Sequence, residues 1–181
     1  MLSRDYKTVR ELIYWSYANL AMAHDAVSRG IAKYDRTSFM IRSRLFKGLS
    51  SGIMKIHSLF DDESIKLANG SRCVYCGSIQ DLSIDHVFAR HFGGSDSSDN
   101  LVCCCKKCNS SKGDSNLMRW FSSRNEFPPL MILRRYLKLV YQYSEDFSLL
   151  DSPIMSLESA DAPFISADIP VDFPSPDKLR L

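Results

Sequence analysis

The sequence predicts a mainly helical α+β protein, and three features of the chain support this prediction. Apolar residues recur every three or four positions within the first 60 residues and again after residue 129, as they do in amphipathic helices. Between these regions, two Cys-x-x-Cys pairs enclose two short stretches whose composition suits strands. We therefore expect a central unit with two strands and one helix, flanked by N-terminal and C-terminal helices.

The composition is that of a globular protein, with 45% hydrophobic residues in a chain of 181. No apolar run approaches the roughly 20 residues that a membrane helix needs, which argues against a membrane partner. The N-terminal sequence also lacks the apolar region of a signal peptide, so we expect a cytoplasmic protein. In that reducing compartment, the six cysteines favour a metal site over disulfide bonds.

The net charge of +2 hides a strong asymmetry along the chain. Residues 1–60 hold ten Lys and Arg against four Asp and Glu, a net charge of +6. Residues 61–140 carry +2, whereas residues 141–181 hold two basic residues against eight acidic ones, a net charge of −6. A basic first part and an acidic end favour a polyanionic partner for the basic part.

Charge, cysteines and prolines together divide the chain into four segments. A basic helical region covers residues 1–70, and a cysteine-containing module covers residues 71–122. Residues 123–150 form a helix that we expect to pack on the N-terminal helices. Residues 151–181 form an acidic tail rich in Pro and Ser.

Two long helices are expected in the first segment. The first spans residues 7–29, ends at Gly30 and has apolar positions with helical spacing. These positions are Val9, Leu12, Ile13, Ser16, Leu20, Ala23 and Val27.

The second helix begins at Thr37 or Ser38, whose hydroxyl groups can cap a helix. Its apolar stripe comprises Ile41, Leu45, Leu49, Ile53, Ile56 and Phe60.

A third, short helix is expected after three acidic residues at positions 61–63, because acidic side chains favour the positive end of a helix dipole. It ends at Asn69 and Gly70. His24 and His57 lie within the N-terminal helices. Neither has a partner at ligand spacing, so we interpret both as structural or surface residues.

The central unit begins with a short strand that leads into Asp85 and His86, and residues 101–104 form the returning strand. A loop rich in Gly, Ser and Asp joins them. The helix that follows begins near Lys107 or Cys108. It carries apolar residues toward the core, and these are Leu117, Met118, Trp120 and Phe121.

The C-terminal helix begins at Pro128 and Pro129, since Pro is tolerated in the first turn of a helix. Its apolar face comprises Leu130, Leu133, Leu137, Val140 and Tyr141. The basic residues on the opposite side are Arg134, Arg135 and Lys138. We expect the apolar face to pack on the N-terminal pair of helices.

In the tail, five of the seven prolines follow Leu150 and no periodicity persists. Segments of this composition bury too little apolar surface to fold alone. We therefore expect residues 151–181 to be extended or disordered, and Phe164, Ile165 and Phe173 are the residues that could still dock them.

The cysteines of the module have the spacing of a metal centre. Cys73 and Cys76 form one Cys-x-x-Cys pair, and Cys105 and Cys108 form a second. Two such pairs can close a tetrahedral Zn²⁺ site with a tight knuckle at each pair. Disulfides or inert thiols are the alternative, and the paired spacing favours zinc. The two cysteines directly before Cys105 are surplus to this pattern.

Further residues of a recurring pattern stand between and after the cysteine pairs. They are Asp85, His86, Gly93, Gly94, Asn100, Leu101, Asn109 and Lys112. In residue types and in spacing, this segment resembles the HNH endonuclease family, which implies a zinc-bound ββα-metal core. Two positions depart from the family pattern. Ala89 stands where Pro is usual, and Asn109 stands where the third letter of the name calls for His, although Asn is common there.

The resemblance implies hydrolysis of phosphodiester bonds, in which a base activates water and a divalent cation neutralises charge on the phosphate. His86 would be the general base, since the pKa of histidine lies near neutral pH. Asp85 and Asn109 would supply oxygen ligands to Mg²⁺ or a similar cation. Asn100 would brace the loop and orient the histidine. The alternative for these residues is a polar turn in a noncatalytic zinc module.

Basic residues are the candidates for nucleic-acid contact. Lys112 lies one helical turn after the last Asn of the pattern and is predicted to contact a phosphate oxygen. His91 either touches the leaving group or is an exposed bystander. Arg44, Lys47 and Lys55 lie off the apolar stripe of their helix, and they form either an ordinary solvated surface or further phosphate contacts.

DNA is the expected substrate, and RNA is the alternative because phosphodiester chemistry is common to both. A different class of function is a noncatalytic zinc-stapled subunit that binds nucleic acid in a larger assembly, with a protein partner on the flanking helices. The complete set of site residues favours the enzyme. Since the family is frequent in mobile elements and antiviral defence systems, analogy suggests a role of that kind.

Overall fold

The computed structural model describes residues 6–56, 71–159 and 162–181. The helices and strands in these ranges are α1 (Val9–Ser28), α2 (Arg36–Ser50), β1 (Leu82–His86), β2 (Leu101–Cys105), α3 (Lys106–Lys112), α4 (Leu117–Ser123), α5 (Leu130–Asp146) and α6 (Ser156–Ser159). The fold is thus α+β and mainly helical, as predicted. The expected short helix at positions 61–69, together with His57 and Phe60, lies outside the described residues.

Helix α1 is the central helix of the fold and packs against both α2 and α5. The Thr8 hydroxyl caps it by accepting a hydrogen bond from the Glu11 backbone at 3.2 Å. Gly30 follows its end with a positive φ of 68°. The apolar positions predicted from helical spacing are buried, except that Val27 is half-buried.

Helix α2 is shorter than predicted and starts from a different cap. Asp35, not Thr37 or Ser38, is the cap, and its carboxylate accepts a hydrogen bond from the Ser38 backbone at 2.8 Å. The helix ends at Ser50 because Gly52 adopts a positive φ of 73°, which turns the chain. Lys55 therefore lies beyond the helix that was expected to carry it.

The end of α2 also changes which side chains of its predicted stripe are buried. Ile53 is 84% exposed, whereas Leu49 and Ile56 are buried. Met54 folds back onto Gly48, where a Cβ would lie 2.4 Å from the methionine sulfur. The glycine therefore lets the turn pack closely against its own helix.

Strands β1 and β2 form an antiparallel pair in which Leu82 is opposite Cys105 and His86 is opposite Leu101. Helix α3 follows β2 directly and packs on both strands. The helical region expected to continue to Phe121 is divided into α3 and α4, because Gly113 adopts a positive φ of 50°. The buried residues of α4 are Leu117, Trp120 and Phe121.

Helix α5 starts after Pro129, as predicted, and its predicted apolar face is buried. Two of the basic residues placed opposite this face contact the rest of the protein and do not point freely into solvent. Arg135 is 3% exposed and donates to the carbonyl oxygens of Ser98 and Asp99, both at 2.8 Å. Lys138 donates to the Asp99 carboxylate at 2.7 Å. These side chains attach α5 to the loop between the strands.

The acidic tail is folded against the helices, so the expectation of a disordered segment is wrong. Phe164, Ile169 and Leu179 are buried. The Arg180 carbonyl oxygen accepts a hydrogen bond from the first backbone N–H of α5 at 2.8 Å. Docking through Phe164 was the alternative named for this segment, and it is the one that the structure supports.

None of the helices in the described ranges has both the length and the hydropathy required to cross a membrane.

Candidate active site

The four cysteines predicted as zinc ligands lie together. The sulfur atoms of Cys73, Cys76, Cys105 and Cys108 are all within 4.8 Å of one another, and those of Cys76 and Cys105 are 3.8 Å apart. Sulfurs bound at about 2.3 Å to one tetrahedral Zn²⁺ lie about 3.8 Å from each other. The donor set therefore fits a structural zinc centre.

Local backbone geometry brings each pair of sulfurs together. After Cys73 the chain turns through Gly77, whose N–H donates to the Cys73 carbonyl at 2.8 Å. Cys105 ends β2 and caps α3, because its sulfur accepts a hydrogen bond from the Cys108 backbone at 3.4 Å. That backbone N–H lowers the pKa of Cys105, whereas burial raises the pKa of Cys76 and of Cys108 in the same cluster. A lower pKa favours the thiolate, which is the form that binds zinc.

The two surplus cysteines lie outside this cluster, as predicted. Cys103 is half-buried, and Cys104 is fully buried with its sulfur 3.6 Å from the Ser83 hydroxyl. Burial raises the pKa of Cys104 to about 11, which keeps it a neutral thiol.

The alternation of β1 separates the two residues of the Asp-His motif. Asp85 points to the buried side, which α3 covers, and is 7% exposed. Ile84, on the other face of the strand, is 60% exposed. His86 is the last residue of β1, and its side chain is 23% exposed. One residue is therefore held in the interior of the module while its neighbour reaches solvent.

Asp85 is held by two groups, one of which sequence reasoning missed. The Tyr75 hydroxyl donates to Asp85 Oδ2 at 2.6 Å, and the Lys112 ammonium lies 3.2 Å from the same oxygen. Burial, and secondly the Asp85 carboxylate, raise the pKa of Tyr75 well above its usual value. Tyr75 lies inside the first knuckle and packs on Trp120. Its spacing carries no signal that distinguishes it from a core aromatic residue.

Lys112 does not occupy the exposed position expected of a phosphate contact. Its side chain is 0% exposed, and its ammonium donates to the His86 carbonyl at 2.8 Å and to the Gly113 carbonyl at 3.3 Å. Together with Asp85, these acceptors surround the charge. The face of α3 that carries Lys112 lies against β1, and the lysine consequently joins the helix to the strand.

Asn109 lies on the same side of the sheet as Asp85. Its side-chain nitrogen donates to the Ile84 carbonyl at 3.0 Å and to the Ser83 hydroxyl at 3.2 Å. Ser83 and Asp85 share a strand face because they are two residues apart. Within the described ranges, no hydrogen bond to Asn109 Oδ1 is found, so this oxygen is free to act as a ligand.

Asp85 and Asn109 offer oxygen atoms of the type that binds a divalent cation. Mg²⁺ is bound in proteins through one or two carboxylates and keeps several waters. Among the residues that the structure describes, Asp85 Oδ1 has only a long contact of 3.5 Å to Lys112, and Asn109 Oδ1 is the second available oxygen. The nearby Lys112 ammonium lowers the affinity of this site for Mg²⁺, because its positive charge repels the metal cation.

His86 is paired with a residue that the motif did not single out. Its Nε2 lies 2.7 Å from Oδ1 of Asp96, in the loop between the strands. Arg90 holds the same carboxylate through Nε at 2.8 Å and through Nη2 to the other oxygen. Arg90, and secondly His86, lower the pKa of Asp96 to about 2, so the carboxylate is ionised at neutral pH.

Asn100 braces the loop but does not contact His86. Its side-chain oxygen accepts from the Phe88 backbone at 2.8 Å, and its nitrogen donates to the carbonyls of Phe88 at 2.9 Å and Ser95 at 2.8 Å. Ala89, which replaces the usual Pro, has a φ of −60° and therefore adopts the angle that a proline ring would impose.

The remaining candidates lie on the surface. Arg44 and Lys47 are exposed on α2, and Lys55 is exposed beyond its end. His91 lines an open groove of about 980 Å³ between the loop and the C-terminal half of α5, and its ring is 5.0 Å from that of Phe92. In this structure His91 contacts neither His86 nor Asp96 through a hydrogen bond.

Comparison with known proteins agrees with the geometry of the module. Residues 73–120 match the model of a family described as HNH endonuclease. The match covers both cysteine pairs and every predicted catalytic residue. No curated protein and no solved structure matches the chain. The cysteine cluster agrees with the family match, and residues 73–120 are thus similar in sequence and in cysteine geometry to an HNH endonuclease module.

Proposed function

We propose that the protein is a metal-dependent endonuclease that hydrolyses phosphodiester bonds in DNA. The observation that carries the proposal is His86, a partly exposed imidazole at the end of β1 that directly follows Asp85, in a module that matches the HNH endonuclease family. The basic N-terminal region supports a nucleic acid as the substrate.

In this proposal His86 takes the proton from the attacking water, a role for which a neutral imidazole is suited near pH 7. Asp85 and Asn109 would hold the divalent cation. When bound, the cation would neutralise the negative charge that develops on the phosphate. Lys112 acts on the site indirectly, because its ammonium anchors both the Asp85 carboxylate and the His86 carbonyl.

A second candidate function is a noncatalytic zinc-stapled subunit that binds nucleic acid beside a protein partner. The ion pair between Lys112 and Asp85 favours it, because an internal cation already neutralises the carboxylate that Mg²⁺ would need. A role in a mobile-element or antiviral defence system rests on analogy with the family.

The test is incubation of the zinc-loaded protein with supercoiled plasmid DNA and with structured RNA, with and without Mg²⁺. We expect Mg²⁺-dependent cleavage of the DNA. His86→Ala should lower the rate by about 10²–10⁴-fold, since that is the usual contribution of a general base. Zinc content and the circular dichroism spectrum should not change. Cleavage of RNA alone would reassign the substrate, and no cleavage of either polymer would favour the noncatalytic subunit.

A further inference from the structure

The loop between β1 and β2 provides a positioning residue for the histidine. We infer that Asp96 fixes the tautomer and orientation of His86, so that Nδ1 is the ring nitrogen that takes the proton from water. The inference about the tautomer depends only on the geometry of the loop. The expected effect on the cleavage rate depends on the proposed endonuclease function.

The contact between the two side chains determines which nitrogen carries the proton. His86 Nε2 lies 2.7 Å from Asp96 Oδ1, a short hydrogen-bond distance. An ionised carboxylate can only accept a hydrogen bond. In the neutral ring, the proton is therefore on Nε2, and the lone pair is left on Nδ1.

Asp96 is itself held in one orientation. The guanidinium of Arg90 binds both carboxylate oxygens, with Nε donating to Oδ1 at 2.8 Å and Nη2 donating to Oδ2. Two parallel hydrogen bonds from a planar group fix the plane of a carboxylate as well as its position. Consequently, Asp96 Oδ1 is held in a fixed position relative to His86 Nε2.

The backbone on both sides of Asp96 is fixed as well. The Ser95 carbonyl accepts from the Asn100 side chain at 2.8 Å, and the Ser97 carbonyl accepts from the backbone N–H groups of Asn100 at 3.0 Å and Leu101 at 3.1 Å. Gly94 passes so close to Phe88 that a Cβ would lie 1.9 Å from the Phe88 carbonyl oxygen. The Gly-Gly and Asn positions of the motif thus act on His86 through Asp96.

The competing interpretation is an incidental surface contact. Asp96 is 58% exposed at its side chain, and exposed ion pairs generally contribute little to stability. An incidental contact would leave the tautomer and the rate unchanged when Asp96 is removed. A contact that blocks the base would instead make cleavage faster without Asp96.

The first test reads the tautomer and needs no activity. Long-range proton–nitrogen NMR spectra of the ¹⁵N-labelled, zinc-loaded protein would be recorded at a pH at which the His86 ring is neutral. We expect the Nε2–H tautomer in the parent and a mixture of tautomers in Asp96→Ala, with Asp114→Ala as a matched exposed control. An Nδ1–H tautomer in the parent, or an unchanged ring in Asp96→Ala, overturns the inference.

The second test is kinetic and uses the same variants. Removing a residue that orients a reacting side chain lowers activity by about 10–100-fold. We expect that loss in kcat for Asp96→Ala, with KM and the unfolding midpoint close to those of the parent. Asp96→Asn keeps an acceptor oxygen and should retain more of the rate. A rise in KM at constant kcat, or faster cleavage, contradicts the assignment. If the parent does not cleave, the proposed function fails while the NMR result still decides the tautomer.

Discussion

At the scale of single residues, the charge of Lys112 determines how the interior of the module is organised. Its ammonium is inaccessible to solvent and is surrounded by the Asp85 carboxylate and two backbone carbonyls. A buried charge without partners costs several kcal/mol, so the lysine and the aspartate each require the other. The pair joins α3 to β1 at Asp85, the strand residue that precedes His86.

We therefore predict that Lys112→Met lowers the free energy of unfolding by about 3–5 kcal/mol, the usual effect of removing one partner of a buried ion pair. Lys107→Met, an exposed lysine of the same helix, is the matched control and should have little effect. Denaturant unfolding of the zinc-loaded proteins measures both.

The double variant Asp85→Asn/Lys112→Met should recover part of the loss, because it no longer buries an unpaired carboxylate. If Lys112→Met is as stable as Lys107→Met, the ammonium is not a structural partner of Asp85. The phosphate-binding role predicted from the sequence would then be restored.

Spacing predicted which residues share a helix face but could not predict how deeply that face is buried. Lys112 was placed correctly beside Asn109, yet its depth depends on how α3 packs on β1. Asp96 and Arg90 were missed for a different reason. A loop rich in Ser and Asp has no periodicity, and the contact with His86 joins residues ten positions apart.

At the scale of elements, the two-stranded sheet depends on what surrounds it. A pair of five-residue strands is not stable alone, because it buries too little apolar surface. Here one end is held by the four cysteines and one face is covered by α3. Tyr75 packs on Trp120 and Phe121 with ring centroids 5.2 Å and 6.2 Å apart, which links the first knuckle to α4.

We predict one zinc per chain and loss of the module's structure when a ligand is removed. In Cys108→Ser, zinc content should fall and the amide protection of β1 and β2 should be lost, because metal binding supplies much of the folding free energy of such a unit. Cys103→Ser is the matched control, since Cys103 lies next to the cluster without joining it. Elemental analysis and hydrogen exchange are the measurements. A metal-free parent with intact protection of both strands would contradict the prediction.

The elements of the module were the most predictable part of the fold, because they are constrained by short-range signals. The cysteine spacing, the polar motif and the glycines all lie within 45 residues of one another and agree with the strands observed. The extent of α2 was less predictable. Ile53 continues the apolar stripe, but the backbone of Gly52 ends the helix before that residue.

At the scale of the whole molecule, the tail and α5 attach the module to the helical region. Phe164 lies between Phe88 of the module and Tyr143 of α5, with ring centroids 5.8 Å and 5.5 Å away. Arg119 of α4 forms an ion pair with Asp168 at 2.7 Å. The sequence named Phe164 as a residue that could dock the tail, but its partners lie in distant parts of the chain, so no local pattern could identify them.

We predict that Phe164→Ala lowers the free energy of unfolding by about 3–5 kcal/mol, as expected when a fully buried aromatic ring is removed. Met155→Ala is the control in the same segment, because Met155 is 73% exposed. Denaturant unfolding measures both variants. Equal stability of the two variants would mean that the tail is not anchored through Phe164.

The last prediction concerns the exposed basic residues of α2, which belong to no family motif. Arg44 and Lys47 face solvent, whereas Arg135 and Lys138 of α5 bind residues of the loop between the strands. If α2 contacts the phosphate backbone, binding weakens with salt, with a slope of about −0.9 in log K against log salt for each phosphate neutralised.

The double variant Arg44→Glu/Lys47→Glu should therefore reduce the magnitude of the slope by up to about 1.8 and weaken binding to all duplex sequences alike, because phosphate contacts carry no sequence information. Binding is measured in the His86→Ala background without added Mg²⁺, which prevents cleavage without a chelator that would also remove zinc. Lys7→Glu/Lys178→Glu, at two exposed lysines that are not part of α2, gives the same change in net charge. If both double variants have the same slope, net charge alone accounts for the effect. The exposed face of α2 would then be left as a surface for a protein partner.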